Sequence, residues 1–161
     1  MKQIEFIKLT ETAKLPTRAS ELSSGFDFYA DNFKCYYEGS AKFELDKNTE
    51  EVSLGSFDRV LIGTGLAVNL ESSEELQIRP RSGLALKEGI TVLNTPGTVD
   101  EDYKNEIGII LVNTSPDSVV IKLGERIAQG VIMKVERKEP ILGVELTGED
   151  RGGGFGHSGK E

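Results

Sequence analysis

The sequence predicts an all-β fold, a jelly-roll-like β-barrel. Two observations lead there. Short runs rich in β-branched residues recur along the chain with turn-type residues between them, and no long stretch holds a helical period. Many short strands of this kind close a core as a sandwich or barrel.

Taken in order, "IEFIKL" (Ile4 to Leu9) gives the first strand. "SSGFDFYA" (Ser23 to Ala30) reads as a strand start with Asp27 in a hydrogen bond. Residues 31–52 are charged, Tyr-rich and locally alternating, which predicts a hairpin decorating the barrel as a surface insertion. "RVLIGTGLAVNL" (Arg59 to Leu70), "ELQIRP" (Glu75 to Pro80), "EIGIILVN" (Glu106 to Asn113), "SVVIKL" (Ser118 to Leu123) and "RIAQGVIMKV" (Arg126 to Val135) supply the remaining strands. "SGLALKEG" (Ser82 to Gly89) is the best helical candidate, of about two turns. Residues 148–161 are polar and glycine-rich, so a flexible arm is expected to follow a barrel domain over residues 1–147.

Composition narrows the function. A chain of 161 residues with 37% apolar and 29% charged residues is most simply one domain with a real core. One cysteine, Cys35, permits no intrachain disulfide, and one histidine, His157, leaves no Cys/His zinc set; a cytoplasmic protein is the expectation. "MKQIEFIKLT" is interrupted by charge and reads as neither signal nor transit peptide, and the apolar run Ile109 to Val112 is too short for a bilayer. Neither membrane nor nucleic acid is therefore an expected partner: the net charge of −8 lacks the positive surface that phosphate backbones require. It leaves room for a small anionic ligand held by local arginines.

Three segments carry candidate chemistry. In "RPRSGLALKEG" a strand stops at Pro80 and a short helix begins, so first-turn N–H groups, the Ser82 hydroxyl and the Arg81 guanidinium converge as a phosphate would need. A serine N-cap beside two surface arginines is the alternative. "VLNTPGTVDEDYKNEIGIILVN" (Val92 to Asn113) reads as two strands joined by a wide polar loop whose backbone groups can read a base edge. Within it Asp100, which follows Val99 near the Pro96-Gly97 turn, is the carboxylate placed to orient and deprotonate a water. Glu101, Asp102 and Glu106 read as solvated loop charges, and Tyr103 as a core or rim aromatic. "GERIAQGVI" (Gly124 to Ile132) is a tight turn into a strand with Arg126 and Gln129 on the rim.

Together and in order, "GFDFYA", "PRSGLA", "GTVDEDYKNE", "GERIAQ" and "RGGGFGHSG" resemble the five motifs of the trimeric deoxyuridine triphosphatase (dUTPase) family over nearly the whole chain. "PRSGLA" and Asp100 to Tyr103 are the most diagnostic parts. The resemblance implies a homotrimer with three active sites between subunits, hydrolysing dUTP to dUMP and pyrophosphate with Mg²⁺ across the triphosphate. It implies that Asp100 holds the attacking water, and that Arg81, Ser82 and Gly83 hold phosphates from one subunit and Gln129 from another. Asn94 and backbone from Gly97, Thr98 and Val99 through Ile107 and Gly108 would read uracil, with Tyr103 against the sugar. Arg151, Phe155, Gly156 and Ser158 would arrive on another chain's arm, and Asp27 would reach the metal through water or hold structure. The chain has Lys104-Asn105 where the family's third motif carries Arg-Gly, and a shorter fifth motif. A dCTP deaminase of the same fold and a non-catalytic nucleotide-sensing module are the alternatives.

Overall fold

The computed structural model describes residues 3–150. Thirteen strands and one helix are found there: β1 (Glu5–Lys8), β2 (Phe26–Tyr29), β3 (Asn32–Glu38), β4 (Ala41–Glu44), β5 (Glu51–Leu54), β6 (Arg59–Gly63), β7 (Leu66–Asn69), β8 (Glu74–Arg79), α1 (Ser82–Glu88), β9 (Ile90–Val92), β10 (Gly97–Val99), β11 (Gly108–Asn113), β12 (Val119–Lys122) and β13 (Arg126–Lys134). Every pairing between them is antiparallel. A four-stranded sheet runs β10-β8-β13-β2 and a five-stranded sheet β4-β3-β6-β11-β9, with two-stranded ribbons β1-β7 and β12-β5. This is the jelly-roll-like β fold that the sequence predicts.

Alternation builds the core. On β6 Val60 and Ile62 turn inward, on β8 Leu76 and Ile78, on β11 Ile109 and Leu111, and all lie in one apolar cluster with Phe26 and Phe28 of β2. Phe6, Phe26 and Phe28 meet edge-on or tilted, with centroids 5.6–5.9 Å apart, the geometry aromatic quadrupoles favour. A buried polar post stands just before β6: Asp58 accepts from the Gly55 amide (2.8 Å) and the Tyr36 hydroxyl (3.1 Å). Burial first, and then that carboxylate, push the Tyr36 phenol up to about 12.

The stretch 31–52 divides in two. β4 is exposed throughout and forms the sheet edge, as a surface hairpin would. β3 does not decorate anything: it lies between β4 and β6 and puts Phe33 and Cys35 into the core. The insertion reading is corrected for β3 because its alternation has one apolar face, and that face is covered. Likewise Val92 to Asn113 is more than a hairpin. β9 does pair with β11, but the chain between them crosses to the other sheet as β10. After β13, residues 138–150 form no regular element and leave Ile141, Leu142, Val144 and Leu146 at least 88% exposed.

Gly130, central in β13, sits where a methyl group would come within 2.5 Å of Phe28 and 2.8 Å of Leu76. Both are immobilised core side chains, so Gly130→Ala should destabilise by about 1–3 kcal/mol, read as a lower midpoint in denaturant unfolding.

Candidate functional site

The first cluster of predicted site residues forms where β13 pairs with both neighbours. Gln129 stands opposite Asp27 of β2 on one side and Arg79 of β8 on the other. Asp27 is 17% exposed in its side chain and accepts from two guanidiniums, Arg81 Nε at 3.3 Å and Arg126 Nη1 at 3.1 Å. Arg81 Nη1 also donates to the Arg126 carbonyl (2.9 Å), and Gln129 Nε2 donates to the Pro80 carbonyl (2.8 Å). That bond fixes the chain just before Arg81. Arg79 is itself held by Gln77, through Nε at 3.1 Å and Nη2 at 2.5 Å. One carboxylate thus orients two cations beside a third, next to an open cleft of about 350 Å³ that Ser23, Ser24, Asp27 and Gln129 help to line.

Two expectations change here. Arg81, not Ser82, occupies the N-cap of α1, in extended backbone (φ −88°, ψ 126°) and with no side-chain cap bond. Its guanidinium is turned to Asp27 instead, and Ser82 and Gly83 are exposed at the first turn. Gln129 does not have to come from a different subunit than Arg81, because the register of β13 puts it against Pro80 of the same chain.

The second cluster lies around β10. Gly97, Thr98 and Val99 pair with Ile78, Gln77 and Leu76, and with Asn94 and Gly108 they line a narrow pocket of about 40 Å³. β9 covers β11 only from Leu111 onward, so Gly108 lies beyond the end of that pairing. Ile107 is different. Its side chain is fully buried, its N–H donates to Leu66 O (2.8 Å), and its carbonyl accepts from Thr64 N (3.1 Å) and Oγ1 (2.9 Å). With both backbone groups engaged it supports the loop and has none left to read a base, a correction to its expected role.

Asp100 follows β10 and is exposed beside Glu101, Asp102 and Arg137. Glu101, expected to be solvated, instead accepts from the Ser73 amide (3.0 Å) and Arg137 Nη2 (2.6 Å). The Arg137 guanidinium, and then that amide, hold its carboxyl below the usual carboxylate range. Glu106, also expected to be solvated, accepts from Asn32 Nδ2 (2.8 Å), Lys34 Nζ (2.7 Å) and the Gly65 amide (2.8 Å). Burial alone would raise its pKa, but these donors outweigh it and the carboxyl lies below the usual range. Tyr103 is 40% exposed, and its hydroxyl donates to the Glu106 carbonyl (2.9 Å). Nothing local in the sequence announced these partners, since Lys34 and Glu106 are far apart along the chain.

Asp100 and Arg81 stand well apart within one chain. Continuing the register Val99 with Leu76 places Asp100 opposite Glu75, six residues before Arg81. At 3.3 Å per residue that is about 20 Å of strand. Arg151, Phe155, Gly156 and Ser158 lie outside the described residues. Among the described residues no group of three or more His, Cys, Asp or Glu gathers to hold a metal, and no helix is long and apolar enough to cross a membrane. Both oxygens of Asp27 are already engaged by arginines.

Residues 29–159 match the family model for dUTPase. The chain is 45% identical over 153 residues to the deoxyuridine 5'-triphosphate nucleotidohydrolase of Hydrogenobaculum sp., covering 94% of each chain. It is 43% identical to that of Nautilia profundicola over 98% of this chain and 99% of the relative. A dUTPase mutant of Staphylococcus bacteriophage 80alpha, solved with dUpNHpp, superposes with a TM-score of 0.77 at 20% identity over 99% of both chains, which shows a shared fold. The dUTPase of phage phi11 of S. aureus, a D-to-N mutant described with a structural Mg(II) ion, gives 0.72 at 18% identity over 91% of this chain and all of its own.

Glu101 and Glu106 both have depressed folded-state pKa values, so their contribution is present above the ordinary carboxylate pKa of about 4.5 and is lost as pH falls through the folded values. Acid unfolding followed by far-UV circular dichroism should therefore show a steeper loss of stability below pH 4.5 in the wild type than in Glu106→Gln.

Proposed function

The chain belongs to the dUTPase family, and we propose that it hydrolyses dUTP to dUMP and pyrophosphate in active sites shared between the subunits of a homotrimer. The observation that carries this reading is the separation of about 20 Å between the arginine cluster and Asp100 along one antiparallel register. A triphosphate held at Arg81 of one chain is out of reach of the same chain's Asp100, whereas a neighbouring copy can supply the carboxylate. The exposed apolar side chains of Ile141, Leu142, Val144 and Leu146 support assembly as well, since such a run is unfavourable in water.

In this reading Arg81, with Ser82 and Gly83 at the α1 start, binds phosphate oxygens, and Asp27 and Gln129 hold that segment in place. Phosphoryl transfer is mostly positioning and charge neutralisation, which preset guanidiniums provide without reorganising. Asn94, Gly97, Thr98, Val99 and Gly108 supply the rim that reads uracil, and the Tyr103 ring lies against the sugar, excluding a 2′-hydroxyl. Asp100 accepts the proton of a water whose oxygen bonds to the α-phosphorus. The bond from that phosphorus to the bridging oxygen breaks, and pyrophosphate leaves with the electron pair. Mg²⁺, when bound, neutralises the triphosphate and the leaving group. The donor set fits an ion held by the substrate's own oxygens, because Asp27 is spent on arginines. Arg151, Phe155, Gly156 and Ser158 are assigned to closing a neighbouring subunit's site over the γ-phosphate and the base.

The assay is pyrophosphate release from dUTP with Mg²⁺, with dCTP and ammonia release as the contrast for a deaminase. Asp100→Asn should lower kcat by about 10²–10⁴-fold, the range for a lost general base. Arg81→Ala should be similarly inactive. Mixing the two inactive variants under subunit exchange should restore part of the activity, because some mixed sites carry both native residues; no recovery after verified exchange would count against sites shared in this way. Deleting residues 151–161 should leave the assembly intact and cut turnover.

A further inference from the structure

The loop between β10 and β11 carries Tyr103, assigned to the sugar, and Asp100, assigned to the water, and its fixed point is Glu106. The carboxylate of Glu106 receives three donors from two other parts of the fold. Asn32 Nδ2 (2.8 Å) and Lys34 Nζ (2.7 Å) come from β3, and the Gly65 amide (2.8 Å) from the turn between β6 and β7. Asp31 is the other charge nearby. Its Oδ2 shares Asn32 Nδ2 at 3.2 Å and takes the Thr10 hydroxyl at 2.8 Å. The space around this network is filled: a Cβ on Gly63 would overlap Glu106 Oε1 and the Asn32 amide.

At its main chain, Glu106 accepts the Tyr103 hydroxyl at 2.9 Å. A buried leucine would retain a loop by packing alone. A carboxylate with three directed donors fixes orientation as well, because hydrogen bonds weaken steeply off axis and are stronger when one partner is charged. The carbonyl that anchors the Tyr103 ring is therefore held on both sides, by this side chain and by the engaged Ile107 that follows.

We propose that Glu106 is a positioning residue for substrate selection, which sets discrimination between dUTP and UTP by fixing the carbonyl that anchors Tyr103. The inference rests on the dUTP reading above. β3 thereby gains a role in specificity, since its Asn32 and Lys34 hold the carboxylate that holds the loop. A ring tethered at its hydroxyl keeps one plane against the sugar, and a ring released from its tether tilts and admits the extra oxygen of UTP.

The test measures kcat and KM for dUTP and for UTP on the full-length protein. In Glu106→Gln, which keeps the size and loses the charge facing Lys34, the ratio of kcat/KM for dUTP over UTP should fall about tenfold, mainly through a lower KM for UTP. Tyr103→Phe, which removes only the hydroxyl, should lower the ratio comparably, and the two falls should not add in the double variant. General loosening of the fold would depress both substrates together and leave the ratio alone. An unchanged ratio in a folded Glu106→Gln overturns the inference while dUTP hydrolysis by the wild type stands. If that variant does not fold, the ratio in Lys34→Gln decides in the same way. A wild type that turns over neither nucleotide overturns the functional reading and this inference with it.

Discussion

Strand β13 pairs with β2 from Arg126 to Gly130 and with β8 from Gln129 to Lys134, and the arrangement of the arginine cluster follows from the overlap of those two ladders at Gln129 and Gly130. Gln129 faces Asp27 across one ladder and Arg79 across the other, so three distant parts of the sequence are brought to one spot by backbone hydrogen bonds alone. A slip of one residue would turn each side chain to the opposite face. Gly130, the next residue, makes such a slip costly: no other side chain fits against Phe28 and Leu76. The core constraint and the site geometry are thus the same constraint.

Electrostatics act on that frame. The chain carries a net charge of −8, yet Arg79, Arg81 and Arg126 share one neighbourhood with Asp27. A single carboxylate between two guanidiniums leaves a local excess of positive charge. The hydrogen bonds that orient the arginines come from groups within the fold, so the phosphate of the proposed substrate would meet donors already in place. Where such pairs are open to solvent, as at the half-exposed Arg126, they add little to stability, typically under 1 kcal/mol. Their value lies in direction. The acidic remainder of the surface favours a small, highly charged ligand over an extended polyanion, for which only a local cluster of cations is available.

Much of this was legible in the sequence. β-branched runs gave the strands, and "SGLALKEG" gave a helix that ends as its glycine predicts, with Gly89 at φ 68°. The tight turn into a strand that the sequence predicts at Gly124 to Ile132 is present as the start of β13, with Gln129 on it. What failed to show were interactions between elements far apart in sequence. Glu106 looked like a loop charge because Asn32, Lys34 and Gly65 are brought to it only by pairing of β6 with both β3 and β11. Ile107 looked like a backbone reader because no local signal shows that Thr64 and Leu66 have already taken its hydrogen bonds. β3 looked like surface because its polar face is Lys- and Tyr-rich, while Phe33 and Cys35 alternate beneath. Residue type and spacing identify what a segment can offer; long-range pairing decides what it has left to offer.

The same ladders bear on how a complete site can form. Bringing Asp100 to Arg81 within one chain would require sliding β10 along β8 or parting the sheet between them. Each lost backbone hydrogen bond costs on the order of 1 kcal/mol, more where the groups stay buried, and the apolar faces of Ile78, Leu76 and Val99 would be exposed with them. That total rivals the whole stability of an ordinary domain. Under the proposed reading, a second copy of the chain would supply Asp100 without that distortion, because neither its β10 loop nor the arginine cluster would have to move. The intact ladder between β8 and β10, which keeps Asp100 six residues of strand away from Arg81, therefore supports the proposed sharing of sites between copies of the chain.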